Sequence, residues 1–148
     1  MQNSNIENTV KPIPDGHHTV TPYLVMQDPA KFISFLTSAF GAVETARFAT
    51  PDGIIRHAEV RIGDSVIMIG GAVEKPQNGM LHLYVPDTDA VYRRAIQAGA
   101  KSLREPADQI HGDRSAGVED AWGNTWWMAT HVEDVSVEEI ERRMRGQK

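Results

Sequence analysis

A histidine and a glutamate two residues apart, His57 and Glu59, lie in the β-rich stretch Ile54 to Ile62. Residues two apart on a strand share a face, so an imidazole and a carboxylate would stand side by side. The pair suits proton transfer, because an imidazole titrates near neutrality and a carboxylate can orient it. It also fits a hydrogen-bonded sheet histidine beside a surface glutamate. Other reactive types are scattered. His17-His18 sits in a polar arm and reads as solvated rather than as a metal pair. Arg114, in His111-Gly112-Asp113-Arg114, could meet an anionic group or close a loop salt bridge. His131 follows the last strand, at the rim of a sheet or against a second subunit. There is no cysteine, so disulfides, thiolate metal sites and thiol catalysis are excluded. Ile62-Gly63-Asp64 and Ile69-Gly70-Gly71 lack the spacing of a phosphate loop. No G-x-S-x-G elbow occurs.

The 148 residues predict one domain with a real core. Apolar residues make up 41% and charged residues 24%, as in an ordinary soluble protein. Lys plus Arg is 15 against 20 Asp plus Glu. A net charge of −5 speaks against nucleic acid or an anionic membrane as partner. No stretch approaches the roughly 20 apolar residues of a membrane span. Residues 1–16 lack an apolar signal core, so a cytoplasmic location is expected.

Residues 1–17 read as a loose N-terminal arm and 18–148 as one domain. Thr19 to Met26 is a predicted strand. Asp28-Pro29 opens a helix as cap and first residue; Phe32, Phe35, Leu36, Ala39 and Phe40 form its apolar stripe. Gly41 ends it. Val43 to Thr50, Ile54 to Ile62 and Ser65 to Ile69 are strands, and Gly70 to Gly79 is a linker. The order then repeats: strand Met80 to Val85, a helix capped at Pro86-Asp87-Thr88-Asp89, then strands Lys101 to Arg104, Arg114 to Glu119 and Thr125 to Thr130. Glu105 to Gly112 reads as a loop. The repeats span 18–72 and 79–131. Glu59, Gly63 and Met68 fall on Glu119, Gly123 and Met128 at an offset of sixty, while Gly41 falls on Gly99 at fifty-eight. Ser136-Val137-Glu138-Glu139 has the capping-box pattern and starts a helix over 136–146. The expectation is an α+β fold of two βαβββ repeats: helices on one side, a curled mixed sheet forming a cup on the other, and a C-terminal helix.

The segments TPYLV at 21–25, AFGA at 39–42, HAEVRIGDSVIM at 57–68, YVPDTDAVY at 84–92, AGA at 98–100 and GVEDAWGNTWWMATHVEDVS at 117–136 resemble the vicinal oxygen chelate superfamily of glyoxalases, bleomycin-resistance proteins and dioxygenases. They are most similar to its PhnB-like branch. The resemblance covers about residues 18 to 145.

In metal-dependent members of that superfamily, each half supplies one ligand from its first strand and one from its fourth, all facing a cup. Counted onto this chain, those positions fall on Thr21 and Leu81, and on Ile67 and Trp127. None is a metal ligand type at such a site, so no metal and no cofactor are expected. Strand parity then puts His57, Glu59 and Glu119 on the cup face, with Ile67, Ile69, Trp127 and Ala129 from the fourth strands and Tyr23, Leu81 and Leu83 from the first. His82 would point to the helix side and Trp126 would pack beneath the helices. The resulting expectation is a metal-independent protein that binds a small organic molecule in an apolar, aromatic cup, as a homodimer. The alternative is a lyase, isomerase or dioxygenase-like enzyme using His57 and Glu59, with or without a divalent metal. A protein-interaction module without a small ligand is a third reading.

Overall fold

The computed structural model describes residues 10–71 and 75–146. Residues 1–9 of the expected arm, 72–74 of the expected linker, and 147–148 lie outside the described residues. The first repeat is β1 (Tyr23–Met26), α1 (Pro29–Phe40), β2 (Val43–Ala49), β3 (Ile55–Ile62) and β4 (Ser65–Gly71). The second is β5 (Met80–Tyr84), α2 (Thr88–Gln97), β6 (Lys101–Asp108), β7 (Asp113–Glu119) and β8 (Thr125–His131), followed by α3 (Val137–Gly146). Each repeat makes its own four-stranded mixed sheet, ordered β1-β4-β3-β2 and β5-β8-β7-β6. The first strand runs parallel to the fourth, and the remaining pairs are antiparallel. The two βαβββ repeats and the C-terminal helix expected from the sequence are present, and the mixed sheet consists of two four-stranded sheets that do not close on each other.

One face of each sheet is buried under the helices. Phe32, Ile33, Phe35, Leu36 and Ala39 of α1 are buried, against a core that includes Ala58, Val60, Ile67 and Ile69 from the first sheet and Ala116, Val118, Trp126 and Met128 from the second. Aromatic rings tie the halves together. Trp122 stands edge-on to Phe32 at 5.2 Å, and Phe40 lies 4.8 Å from Trp126. Losing either fully buried ring, Phe32 or Trp126, would cost about 3–5 kcal/mol.

Local chemistry explains most boundaries. Asp87 caps α2 by accepting from the Ala90 amide at 3.1 Å. Ser136 does the same for α3 through the Glu139 amide at 3.2 Å. Asp28 does not cap α1: it adopts the left-handed region at φ 58 and makes no side-chain cap bond. Pro29, with its φ fixed near the helical value, sets the first turn instead. β6 extends four residues past its expected end, through Pro106 to Asp108. It is an edge strand paired only with β7, where a proline lacking an N–H is tolerated at an irregularity of register.

The two β-hairpins that end the repeats differ. Between Ile62 and Ser65 the first has only Gly63 and Asp64. Between Glu119 and Thr125 the second has the five residues from Asp120 to Asn124. Asp120 organises that longer loop while almost wholly buried. Its carboxylate accepts from the Trp122 and Asn124 amides, the Asn124 side chain and the Trp126 indole, all at 2.9 Å.

Candidate functional site on the open sheet faces

The loop difference decides which residues face the helices and which face outward. In the first sheet Glu59 pairs with Met68 and His57 with Gly70, so the open face takes even positions on β4. In the second sheet Gly117 pairs with Trp127 and Ser115 with Ala129, so the open face takes odd positions on β8. Three extra loop residues, an odd number, invert the parity. Tyr23 pairs with Met68 and His82 with Trp127. The true offset between the halves is therefore 59 on these strands (82 − 23 and 127 − 68). The sequence match at sixty equates Met68, on the open face, with the fully buried Met128.

This corrects several expected positions. Ile67 and Ile69 belong to the core. Leu81 and Leu83 pack against it on the helix side. His82 is on the open face rather than beneath α2. Arg114 lies on the helix side, where its guanidinium donates to Asp89 at 2.6 and 2.9 Å and to Asp108 at 3.2 Å. Those bonds hold Arg114 above, and Asp89 below, their ordinary ranges. Arg114 is thus the structural ion pair weighed against an anion site. His57, Glu59, Tyr23, Glu119 and Trp127 are on open faces, and Trp126 is buried under the helices, as parity indicated.

On the first open face, Tyr23 lies across Gly70, where a Cβ would come within 2.9 Å of its ring. Its hydroxyl is 3.1 Å from His57 Nδ1. His57 Nε2 is 3.6 Å from Glu59 Oε1, and Phe48 stacks on the imidazole at 5.9 Å. With its proton on Nε2, His57 would turn that N–H toward Glu59 and accept from the Tyr23 O–H, so Tyr23, His57 and Glu59 stand in line. His17 completes the group. Its Nε2 is 3.3 Å from the same Glu59 oxygen, and its Nδ1 is 3.2 Å from the Asp15 carbonyl. Contact with Glu59, and secondly with Asp15, raises the His17 pKa. The sequence predicts a solvated His17, because nothing local shows that an arm will return to a strand forty-two residues away.

On the second open face, Trp127 lies across Gly117, where a Cβ would meet the indole at 2.3 to 2.7 Å. The Arg104 guanidinium covers the indole, 4.8 Å from its centroid, and Nη2 donates to Ser115 Oγ at 2.5 Å. Towards the other end of β7, the buried Asp113 accepts from the Tyr84 hydroxyl at 3.2 Å and from His131 Nδ1 at 2.8 Å. His111 Nε2 is 3.4 Å away. His131 Nε2 meets Asp134 at 2.7 Å, so both ring nitrogens point at carboxylates. The Asp134 contact first, and Asp113 second, raise the His131 pKa. The His131 bond is the main cause holding the Asp113 carboxyl below its usual range. The charge of Asp113 raises the Tyr84 phenol.

A cleft of about 760 Å³ lies between the repeats, with His82 and Tyr84 of the second face in its lining. Thr21, Ile67, Leu81 and Leu83 line it, together with Phe40 and Arg94. Of the expected cup residues, Thr21, Ile67, Leu81 and Leu83 meet in that cleft, while Tyr23, Glu119 and Trp127 lie on the open faces. His57 and Glu59 lie outside the cleft lining, on the first open face.

The glyoxalase/bleomycin resistance protein/dioxygenase superfamily model matches residues 16–128. The chain belongs to that superfamily. Uncharacterized proteins of Mycobacterium bovis and Mycobacterium tuberculosis H37Rv are each 35% identical to it over 141 residues, covering 86% of this chain and 93% and 83% of theirs. Among solved structures, TioX from Micromonospora sp. ML1 shares the fold with a TM-score of 0.67 at 24% identity, over 76% of this chain and 98% of that one. A PhnB protein from Bacillus cereus has a TM-score of 0.63 at 14% identity, over 76% and 99%.

The metal implied by the resemblance can be tested against the observed faces. The outward positions at the centres of the first and fourth strands are Tyr23, Met68, His82 and Trp127. Only His82 is an ordinary ligand for a divalent cation, so this donor set does not fit such a metal. Among the described residues, no three of His, Cys, Asp and Glu are grouped to hold a metal ion. No helix among them is long and apolar enough to cross a membrane.

Proposed function

We propose that this protein binds a small organic molecule without a resident metal, on the aromatic open faces of its sheets, and that a second copy of the chain completes the site. One observation carries the reading. Rings and thioethers are left uncovered on both faces: Tyr23 is 48% exposed, Phe48 61%, Tyr84 70% and Met80 74%. Apolar groups gathered on one side of a sheet mark a surface that another molecule covers. Here they surround polar groups that can orient a ligand, His57 and Glu59 on one face and His82 and Arg104 on the other. Sedimentation velocity with metal analysis and a thermal-shift screen of small metabolites tests the proposal. A dimer carrying substoichiometric metal and stabilised by organic ligands is expected. A monomer with no ligand response, or one divalent ion per chain, would overturn it.

A second reading, an acid–base enzyme, is favoured by the Tyr23–His57–Glu59 line alone. Tyr23 is the member that would meet the substrate, because its half-exposed hydroxyl ends the line. Tyr23→Phe would then abolish turnover while leaving ligand binding within about twofold. Retention of turnover would reject the line as the catalytic device.

A further inference from the structure

We infer that the second open face is a site for a planar anion, in particular an aromatic carboxylate, held by Arg104 on a platform of Trp127 and Gly117. The inference rests on the small-molecule reading above and names the chemistry of one ligand class. Gly117 does not need glycine for a turn, since it is not among the residues at positive φ. It needs glycine for close approach, because any Cβ would enter the Trp127 ring. The backbone thus supports the indole, and the indole supports the guanidinium above it.

Ser115, itself buried, anchors one guanidinium nitrogen from the side. Nε and Nη1 have no partner among the described residues. Other arginines of this acidic chain contrast with that. Arg47, Arg114, Arg142 and Arg143 each donate two or more bonds to carboxylates. Arg104 is held in a defined orientation by an indole and a hydroxyl, with no carboxylate at salt-bridge distance among the described residues. A planar, weakly hydrated guanidinium stacks on a ring on one side and binds a carboxylate through two parallel N–H bonds at its edge, here the second N–H of Nη2 together with that of Nε or Nη1. Lys101 and Glu119 are register partners at one end of this face, and Asp113 with His131 and His111 stands towards the other, which leaves Arg104 between them. His82, paired with Trp127 on the neighbouring strand, is placed to bound the aromatic part of the ligand.

The probes are 2-naphthoate and its neutral counterpart 2-naphthamide, titrated into the full chain while the indole N–H signals are followed by NMR. Naphthoate is expected to move the Trp127 signal saturably. Naphthamide should bind at least tenfold more weakly, and Arg104→Gln should weaken naphthoate at least tenfold with little effect on naphthamide. Arg94→Gln, a cleft residue, should leave both unchanged. If the two probes bind wild type equally, or Arg104→Gln binds naphthoate as wild type does, the anion site is wrong and the small-molecule reading survives. If neither probe perturbs any residue of either open face, both fail. Arg104→Lys separates fork from charge: recovery of wild-type affinity would overturn the planar, two-bond geometry.

Discussion

On the first sheet a tyrosine ring lies over Gly70 and a histidine closes on its hydroxyl; on the second an indole lies over Gly117 and an arginine closes on its face. The device is the same, an aromatic ring laid on bare backbone and topped by a nitrogen base, but the hydrogen-bonding capacity differs. An imidazole offers an acceptor nitrogen as well as a donor, whereas a guanidinium only donates. The first platform therefore carries a ring nitrogen that can accept and the second a cation that only donates, while the second face keeps its own histidines around Asp113. Two copies of one fold carry different groups on the same backbone device without any change in strand order.

The contrast is most sharply broken at the hairpins. Asp120→Ala removes four hydrogen bonds from a buried loop. It should cost about 3 kcal/mol or more, because the freed donors stay buried. The matching turn residue Asp64 is exposed and bonds only its neighbour Ser65. Asp64→Ala should change stability by less than about 0.5 kcal/mol. Urea unfolding of the two variants measures the difference; equal losses would mean that the long loop has no special role.

Next in size is the platform itself. Gly117→Ala drives a methyl into a ring packed between backbone and Arg104, and overpacking of this kind costs about 1–3 kcal/mol. Gly70→Ala meets only the half-exposed Tyr23, which can swing outward, so a loss below about 1 kcal/mol is expected from the same measurement. A larger loss at Gly70 would reverse the ranking of the two platforms.

The smallest effects are in pH. His17 and His131 both have raised pKa values in the fold. Their contributions are fully present below the ordinary histidine value of about 6.5 and fade as pH rises through the raised values. The arm should therefore detach from the first face as pH rises through the raised His17 value. Amide exchange at residues 15–18 should quicken there, and Glu59→Gln should remove that pH dependence. Asp113, with its pKa lowered by His131, works in the opposite sense: its contribution is lost as pH falls below about 4. A titration of His131 by NMR should show its pKa falling in Asp113→Asn. No change would mean that Asp134 alone holds the ring.

Fold and site were legible in the sequence to different depths. The apolar helix stripes, the turn glycines and the repeat of βαβββ give the architecture, because each is a local pattern. The face of His57, Glu59, Tyr23 and Trp127 follows from alternation within a strand. The faces of Ile67, Leu81, Leu83 and His82 do not, because they depend on how a strand is registered against its partner. Register was read from a repeat at sixty, and Asp120 undoes that reading by organising a longer loop. Neither the His17 contact nor the Arg104 stack is local: one joins an arm to β3, the other three different strands.

The hairpin lengths also constrain how this duplicated chain can be altered. An odd insertion at a turn exchanges the inner and outer lives of every residue beyond it, with no substitution in the strand. Grafting the His57–Glu59 chemistry onto the second repeat would therefore need the pair at 115 and 117, fifty-eight positions on. Placed sixty on, the same pair would occupy 117 and 119, facing outward still but one step too near the loop, with the imidazole where Trp127 now rests.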